Sequence, residues 1–273
     1  MSFKELPIMK EQNKGVLLFY PYVSKKSAGN IKEKLAGRWL GQGPSVDKFE
    51  NDFRKKFCKN QAVVATGSGT DSLHLAYILA GLKPGDEVIT TVFTCTATNI
   101  PLLYMGIKIK FADIERDTMN ISIKSVKKLI TKKTKAIVCV HYGGLPCEMN
   151  DLLKISKKNN LVLIEDAAHA IGAKYSGKSI GSIGDFTTFS FQAIKHFTTG
   201  DGGMLTIKNK KLENKAKRIR WFGIDRKGKQ KGTWKNDVHE IGYKYQMTDI
   251  AATMGIDSLR EFKKIITHRK KIY

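Results

Sequence analysis

The sequence predicts an α/β fold in which a mainly parallel sheet of about seven strands is sandwiched by helices. Three observations lead there. Short runs rich in β-branched residues recur between Gln61 and Lys208, amphipathic stretches alternate with them, and Pro/Gly turn signals separate the two. Strands are predicted at 62–66, 87–91, 108–113, 136–141, 161–165, 187–191 and 204–208. Between them, 71–80 places Leu73, Leu75, Ala76 and Leu79 near one helical face, and 125–131 and 149–158 read as crossover helices. Pro84-Gly85 and the glycines Gly181 and Gly184 mark turns ahead of strands. A long helix is expected over 250–262, with Ala251, Met254, Leu259 and Phe262 apolar.

Composition narrows the class. The 273 residues, 41% of them hydrophobic, are enough for one large domain and a fragment of another. No run approaches the roughly 20 apolar residues of a membrane span, and the first residues lack an apolar leader core, so a soluble, cytoplasmic protein is expected. The net charge of +23 invites a polyanion partner. Lysine supplies most of it, spread over predicted helix faces, so nucleic acid is not the expected partner; denser basic stretches remain at 208–220 and at 226–235, the latter beside Trp234. Cys58, Cys95, Cys139 and Cys147 contain no Cys-x-x-Cys pair, so neither a zinc site nor a disulfide framework is expected.

Three segments carry chemistry. In the first, running from Ser190 to Met204, Lys195 follows a strand and precedes a glycine-rich return, on the edge where open sheets bind ligands. A lysine there can form a Schiff base if an apolar setting or a neighbouring cation lowers its pKa, and His196 is adjacent; in so lysine-rich a chain, any single lysine is by default a solvated charge. In the second, a strand ends in Glu165-Asp166, with His169 three residues on. Asp166 can pair with a protonated pyridine nitrogen and His169 can bond the ring's phenolic oxygen; alternatively the carboxylates cap a helix and His169 is a half-buried imidazole. The third is Thr66-Gly67-Ser68-Gly69-Thr70-Asp71, where a strand gives way to a helix. The amides of Thr70 and Asp71 and the hydroxyls of Thr70 and Ser190 can donate to phosphate oxygens, Gly69 allows close approach, and the plain alternative is a capped turn.

Together these blocks resemble the DegT/DnrJ/EryC1/StrS family, sugar-nucleotide aminotransferases of the aspartate-aminotransferase fold (fold type I). The segments 39–50 and 240–249 resemble the family's opening turn and late signature block, and the likeness runs from about 39 to 262. It implies pyridoxal 5'-phosphate (PLP) as cofactor, Lys195 as its covalent attachment point, Asp166 on the pyridinium, His169 at the ring oxygen, and Gly69, Thr70 and Ser190 on the phosphate. It also implies L-glutamate as donor, a nucleotide-linked keto sugar, expected to be a 4-keto-6-deoxyhexose, as acceptor, and a homodimer with shared active sites. Two positions depart from the usual pattern. Cys95 stands where many relatives stack an aromatic ring on the cofactor, with Phe93 expected on the same side of a strand. Lys244 stands where an asparagine commonly reaches the partner's cofactor phosphate. Residues 20–255 are expected to form the PLP-binding large domain, 256–273 the start of a largely absent C-terminal small domain, and 1–19 an N-terminal segment. The rival readings are a sugar dehydratase of the same family, in which a histidine replaces the lysine, another PLP class on this fold, and a truncated paralogue that only binds.

Overall fold

A computed structural model describes residues 21–226 and 238–272. The N-terminal segment 1–19 and most of the basic stretch 226–235, with Trp234, lie outside the described residues. Within them the chain runs α1 (Ser27–Ala36), α2 (Pro44–Phe57), β1 (Ala62–Thr66), α3 (Gly69–Leu79), β2 (Glu87–Thr91), α4 (Thr96–Tyr104), β3 (Lys108–Ala112), α5 (Ile123–Leu129), β4 (Thr134–Val140), α6 (Met149–Asn159), β5 (Val162–Asp166), the hairpin β6 (Lys174–Tyr175) and β7 (Lys178–Ser179), β8 (Phe186–Ser190), β9 (Gly203–Ile207), α7 (Glu213–Ile219) and α8 (Asp249–Ile272). No helix of the described residues is long and apolar enough to cross a membrane.

The seven-stranded sheet has the order β1-β9-β8-β5-β4-β2-β3. β9 is antiparallel to both neighbours, and the other adjacent pairs are parallel. Because β9 reverses between β1 and β8, these two run the same way as β5, β4, β2 and β3. The C-terminal ends of all six therefore share one sheet edge.

Strand periodicity fills both faces. On β1, Val63 and Ala65 join one hydrophobic cluster while Ala62 and Val64 join the other; Ile137 and Val138 of β4 divide in the same way. The first cluster is dominated by phenylalanine. Residues 49, 53 and 57 repeat at i, i+4 on α2, and their rings meet Phe191 at 5.3 Å, Phe189 at 5.2 Å and Phe262 at 5.1 Å. The start of α2 is held from the far end of the chain, since the buried Asp249 carboxylate accepts from the amides of Gly43 (2.8 Å), Ser45 (3.1 Å) and Val46 (3.1 Å). A close approach follows two turns along α8, where a Cβ on Gly255 would lie 2.6 Å from the Phe49 ring.

α8 continues without a break through 255/256, and Ile256, Leu259, Phe262 and Ile265 belong to the same core as β1 and β8. Its outer face carries α1 through Asn30, whose Nδ2 donates to both Asp257 oxygens at 2.9 and 2.8 Å. α1, α4, α7 and the β6/β7 hairpin are additions to the predicted elements. α4 contains Pro101 and opens on β-branched threonines, features that argue against a helix until the burial of Thr98, Pro101 and Leu102 is taken into account.

Candidate active site

Three strand ends and one helix start converge on the shared edge. β5 delivers Asp166, which is 5% exposed. Its Oδ2 accepts from the Thr98 hydroxyl at 2.7 Å and its Oδ1 from the Ala168 amide at 3.1 Å. Thr98 is itself paired at 2.7 Å with Thr94, so α4 sets the orientation of the carboxylate. Glu165 points to the opposite face, as strand alternation requires. It is wholly buried, taking the Gly184 amide and the Thr187 hydroxyl on one oxygen and His141 on the other. Of the two adjacent carboxylates, Asp166 serves the edge and Glu165 the interior.

Beyond β8 the chain turns through Gln192, whose carbonyl accepts the Lys195 amide at 2.9 Å, and returns into β9. The half-buried Lys195 side chain is electrostatically coupled to two imidazoles. Burial first, then the Lys195 charge, pushes the pKa of His169 down, with Asp166 acting the other way. His196 is pushed down to about 4 by burial, then by Arg269, His169 and Lys195. Both rings are therefore neutral near pH 7, so His169 can serve as a hydrogen-bond partner without adding charge. Arg269, from α8, reaches over this loop and donates to the Lys195 carbonyl oxygen at 3.3 Å.

β1 leads into the phosphate-type turn. Ser68 caps α3, accepting the Asp71 amide on Oγ at 3.0 Å. This bond corrects one expectation: the Asp71 amide is already occupied, so the turn offers the Gly69 and Thr70 amides at N1 and N2, which have no intrahelical acceptor. Burial pushes the Asp71 carboxyl up to about 6, against the Ser68 hydrogen bonds and with Asp201 reinforcing it. Asp71 thus shapes the turn with its side chain over Gly67, where an added Cβ would lie 2.9 Å from Oδ2. An added Cβ on Gly69 would stand 2.9 Å from Ser190 Cβ and 3.2 Å from its Oγ. That approach brings the first amides of α3 and the Ser190 hydroxyl to one place, an anion cradle that a side chain at 69 would fill.

The remaining candidates lie at the rim. β2 ends at Thr91, so Phe93 and Cys95 stand in the bend before α4 and not on a strand as expected. Cys95 is exposed at the start of α4. The Phe93 ring packs on Tyr142 at 4.6 Å, and Tyr142 meets His169 edge-on at 6.3 Å, so an aromatic row, not the cysteine alone, borders this side. Lys244 is exposed and bridges to Trp221, while its neighbour Tyr245 accepts the Gly67 amide at 2.7 Å. The 243–246 segment therefore braces the phosphate-type turn from behind. Thr98, Tyr142 and Arg269 escaped the sequence reading. The i, i+4 pair Thr94/Thr98 facing an apolar strand end was the available signal for Thr98, whereas Arg269 lies far along α8 and gave none.

Residues 21–273 match the profile of the DegT/DnrJ/EryC1/StrS aminotransferase family. The chain belongs to this family. The aminotransferases of this family use PLP, and the cradle, the oriented carboxylate and the lysine described above fit a phosphate, a pyridine nitrogen and an aldehyde carbon respectively. Among similar proteins are protein MJ1066 of Methanocaldococcus jannaschii, 41% identical over 93% of this chain and 67% of that protein, and GDP-perosamine synthase of Escherichia coli O157:H7, 36% identical over 95% and 70%. Among solved structures, Spr1654 of Streptococcus pneumoniae in its PLP form superposes with a TM-score of 0.88 at 28% identity, over 94% of this chain and 69% of that one. The chain spans about two thirds of the length of the curated relatives it matches.

Proposed function

We propose that this chain carries the cofactor site of a sugar-nucleotide aminotransferase that moves an amino group from L-glutamate to a nucleotide-linked keto-deoxy sugar, a 4-keto-6-deoxyhexose in the first instance. The observation that carries the reading is the convergence of Lys195, Asp166, His169 and the Gly69–Ser190 cradle on one sheet edge. When bound, PLP supplies an electron sink that makes a proton on the carbon bearing nitrogen acidic.

The residues divide the remaining work. Gly69 and Thr70 amides and the Ser190 hydroxyl hold the phosphate. Asp166, fixed by Thr98 and Ala168, would orient the ring by pairing with its protonated nitrogen. His169 stays neutral and orients the ring through its oxygen substituent. Lys195 would hold the cofactor through its amine and, with that amine free, would move a proton at the substrate carbon that bears nitrogen as general base and then general acid.

Further support for a phosphate-bearing substrate comes from a cavity of about 630 Å³ beside α2 and α7, where Lys217, Arg218, Arg220 and Arg226 outnumber Asp47 and Asp225. The relative named GDP-perosamine synthase points the same way for the substrate class. A homodimer with Lys244 near the partner's site, in the cytoplasm, completes the reading; the exposed Tyr104 and Ile241 suit an apolar interface.

The test is the absorption spectrum of the purified chain with PLP, before and after L-glutamate. A Schiff-base band that glutamate removes, and that a nucleotide-linked 4-keto-6-deoxyhexose restores, is expected. A band that glutamate leaves untouched refutes the transamination reading.

A further inference from the structure

One buried cluster takes no part in this chemistry. Cys139 and His141 lie two residues apart at the end of β4, so strand periodicity turns both to one face. The chain then makes a single tight turn, 142–144, in which Gly143 (φ 59°) and Gly144 (φ 90°) occupy the left-handed region. A Cβ on Gly144 would meet the His169 carbonyl oxygen at 2.7 Å, so the return is drawn in tightly. It delivers Cys147 beside His141, with the Cys147 amide donating to Nδ1 at 3.1 Å. The thiol sulfurs of Cys139 and Cys147 and an imidazole nitrogen all lie within 4.8 Å of one another. All three residues are shut off from solvent, at 0%, 0% and 1% exposure.

We propose that Cys139, His141 and Cys147 form a binding site for a thiophilic divalent ion, zinc in the first instance. The donor set is the soft thiolate and imidazole combination that selects zinc over hard cations. In a tetrahedral zinc centre the donor atoms stand about 3.5–3.8 Å apart, given metal–ligand lengths near 2.3 Å for sulfur and 2.0 Å for nitrogen. The cluster needs only a contraction of about 1 Å at its widest to reach that geometry.

The imidazole is already set for the role. Its Nε2 faces Glu165 Oε2 at 2.9 Å, and Glu165 is held by Gly184 and Thr187. Because Nδ1 accepts the Cys147 amide and Nε2 faces Glu165, Nδ1 is the nitrogen left to ligate. A carboxylate behind a ligating imidazole is the usual outer partner of such sites. The ion takes over the lone pair that now accepts from the Cys147 amide. The Val140 carbonyl oxygen, which accepts from Cys147 Sγ at 3.2 Å, loses that donor when the thiol is deprotonated and is free to take the fourth position.

Two thiols lose their protons to solvent as the ion binds, and the two thiolates neutralise the charge of the divalent ion. The site would staple the 145–147 return to β4 directly behind the functional edge, since Val140 is the register partner of Asp166 and the His141 amide donates to the Asp166 carbonyl at 3.1 Å. Cys-x-His-x5-Cys is not a spacing that suggests metal in a sequence, and the turn alone closes it.

Because the ligands are buried, the ion enters as the chain folds, and the test is the metal content of the chain purified from cells grown with added zinc or cobalt. About one zinc per chain is expected, and the cobalt form should show a thiolate-to-cobalt charge-transfer band with tetrahedral d–d absorption. Cys139→Val and Cys147→Ala should each lower the retained metal about tenfold or more. A wild-type chain that carries no metal from either medium overturns the proposal, as does a Cys139–Cys147 disulfide in the intact mass. So does a double variant that retains as much zinc as the wild type. If the variants fail to fold, the cobalt spectrum of the wild type decides alone, and absence of the charge-transfer band is fatal.

Discussion

Gly69→Ala is the substitution that most sharply separates the cradle from an ordinary helix start. The added methyl would stand 2.9 Å from Ser190 Cβ and 3.2 Å from its Oγ. Carbon atoms in contact settle at about 3.5–4.0 Å, so α3 and the end of β8 must part by about 0.6–1.1 Å. Overpacking of this kind costs about 1–3 kcal/mol of stability. The cofactor should suffer as well, because the methyl enters the space between the first amides of α3 and the Ser190 hydroxyl. Losing one hydrogen bond to a charged phosphate is worth about 1.5–3 kcal/mol, which is about a tenfold to hundredfold weaker dissociation constant. The assay is spectrophotometric titration of the apo chain with PLP, paired with a thermal melt of the apo form. Gly29→Ala is the control. Nothing lies within 4 Å of a Cβ there, in the first turn of α1, so it should leave both cofactor affinity and the fold intact. A Gly69→Ala chain that binds PLP within about twofold of the wild type would refute the cradle.

Two other outcomes follow from buried charges. Arg220 Nη1 donates to Glu50 Oε1 at 2.6 Å and to the Ala65 carbonyl at 2.8 Å, and the same Glu50 oxygen accepts the Ala65 amide at 2.9 Å. Arg220→Met should cost about 3–5 kcal/mol by urea unfolding, because Glu50 is left buried without its main partner, and Glu50→Gln in that background should recover part of it. A loss below about 1 kcal/mol would show that Lys217, 4.0 Å from Glu50, suffices. His196 is neutral in the folded chain down to a pKa of about 4, whereas the unfolded chain takes up a proton near 6.5. Its contribution is therefore present above pH 6.5 and lost as pH falls towards 4. Allowing for partial exposure the loss is about 2 kcal/mol, and His196→Gln should flatten that part of the stability profile. Parallel profiles for variant and wild type between pH 7 and pH 4 would contradict the burial.

Much of the sheet could be read from the chain because both of its faces are buried. Runs such as Ala62–Thr66 and Glu87–Thr91 are short, apolar and bounded by turn residues, and they form strands at those limits. The direction of β9 was less accessible. Nothing in the residues 191–202 distinguishes a loop that returns antiparallel from one that crosses over, except that it is too short and too glycine-rich to hold a crossover helix. The site residues were legible one by one, since a strand end followed by a carboxylate, a lysine or a Ser/Gly turn has local meaning. Their supports were not: Thr98 under Asp166, Asp249 on the first amides of α2, and the meeting of Cys139 with Cys147 depend on contacts between distant segments. Cys139 and Cys147 have no metal-type spacing in the sequence, and the left-handed turn at Gly143 and Gly144 is what brings them together.

The central claim is that Lys195 holds the cofactor. Borohydride reduction of the PLP-treated chain, followed by peptide mass spectrometry, should place a reduced pyridoxyl adduct on Lys195 in the wild type and leave none on the corresponding peptide of Lys195→Ala. An adduct distributed over the many surface lysines, undiminished by Lys195→Ala, would contradict the account.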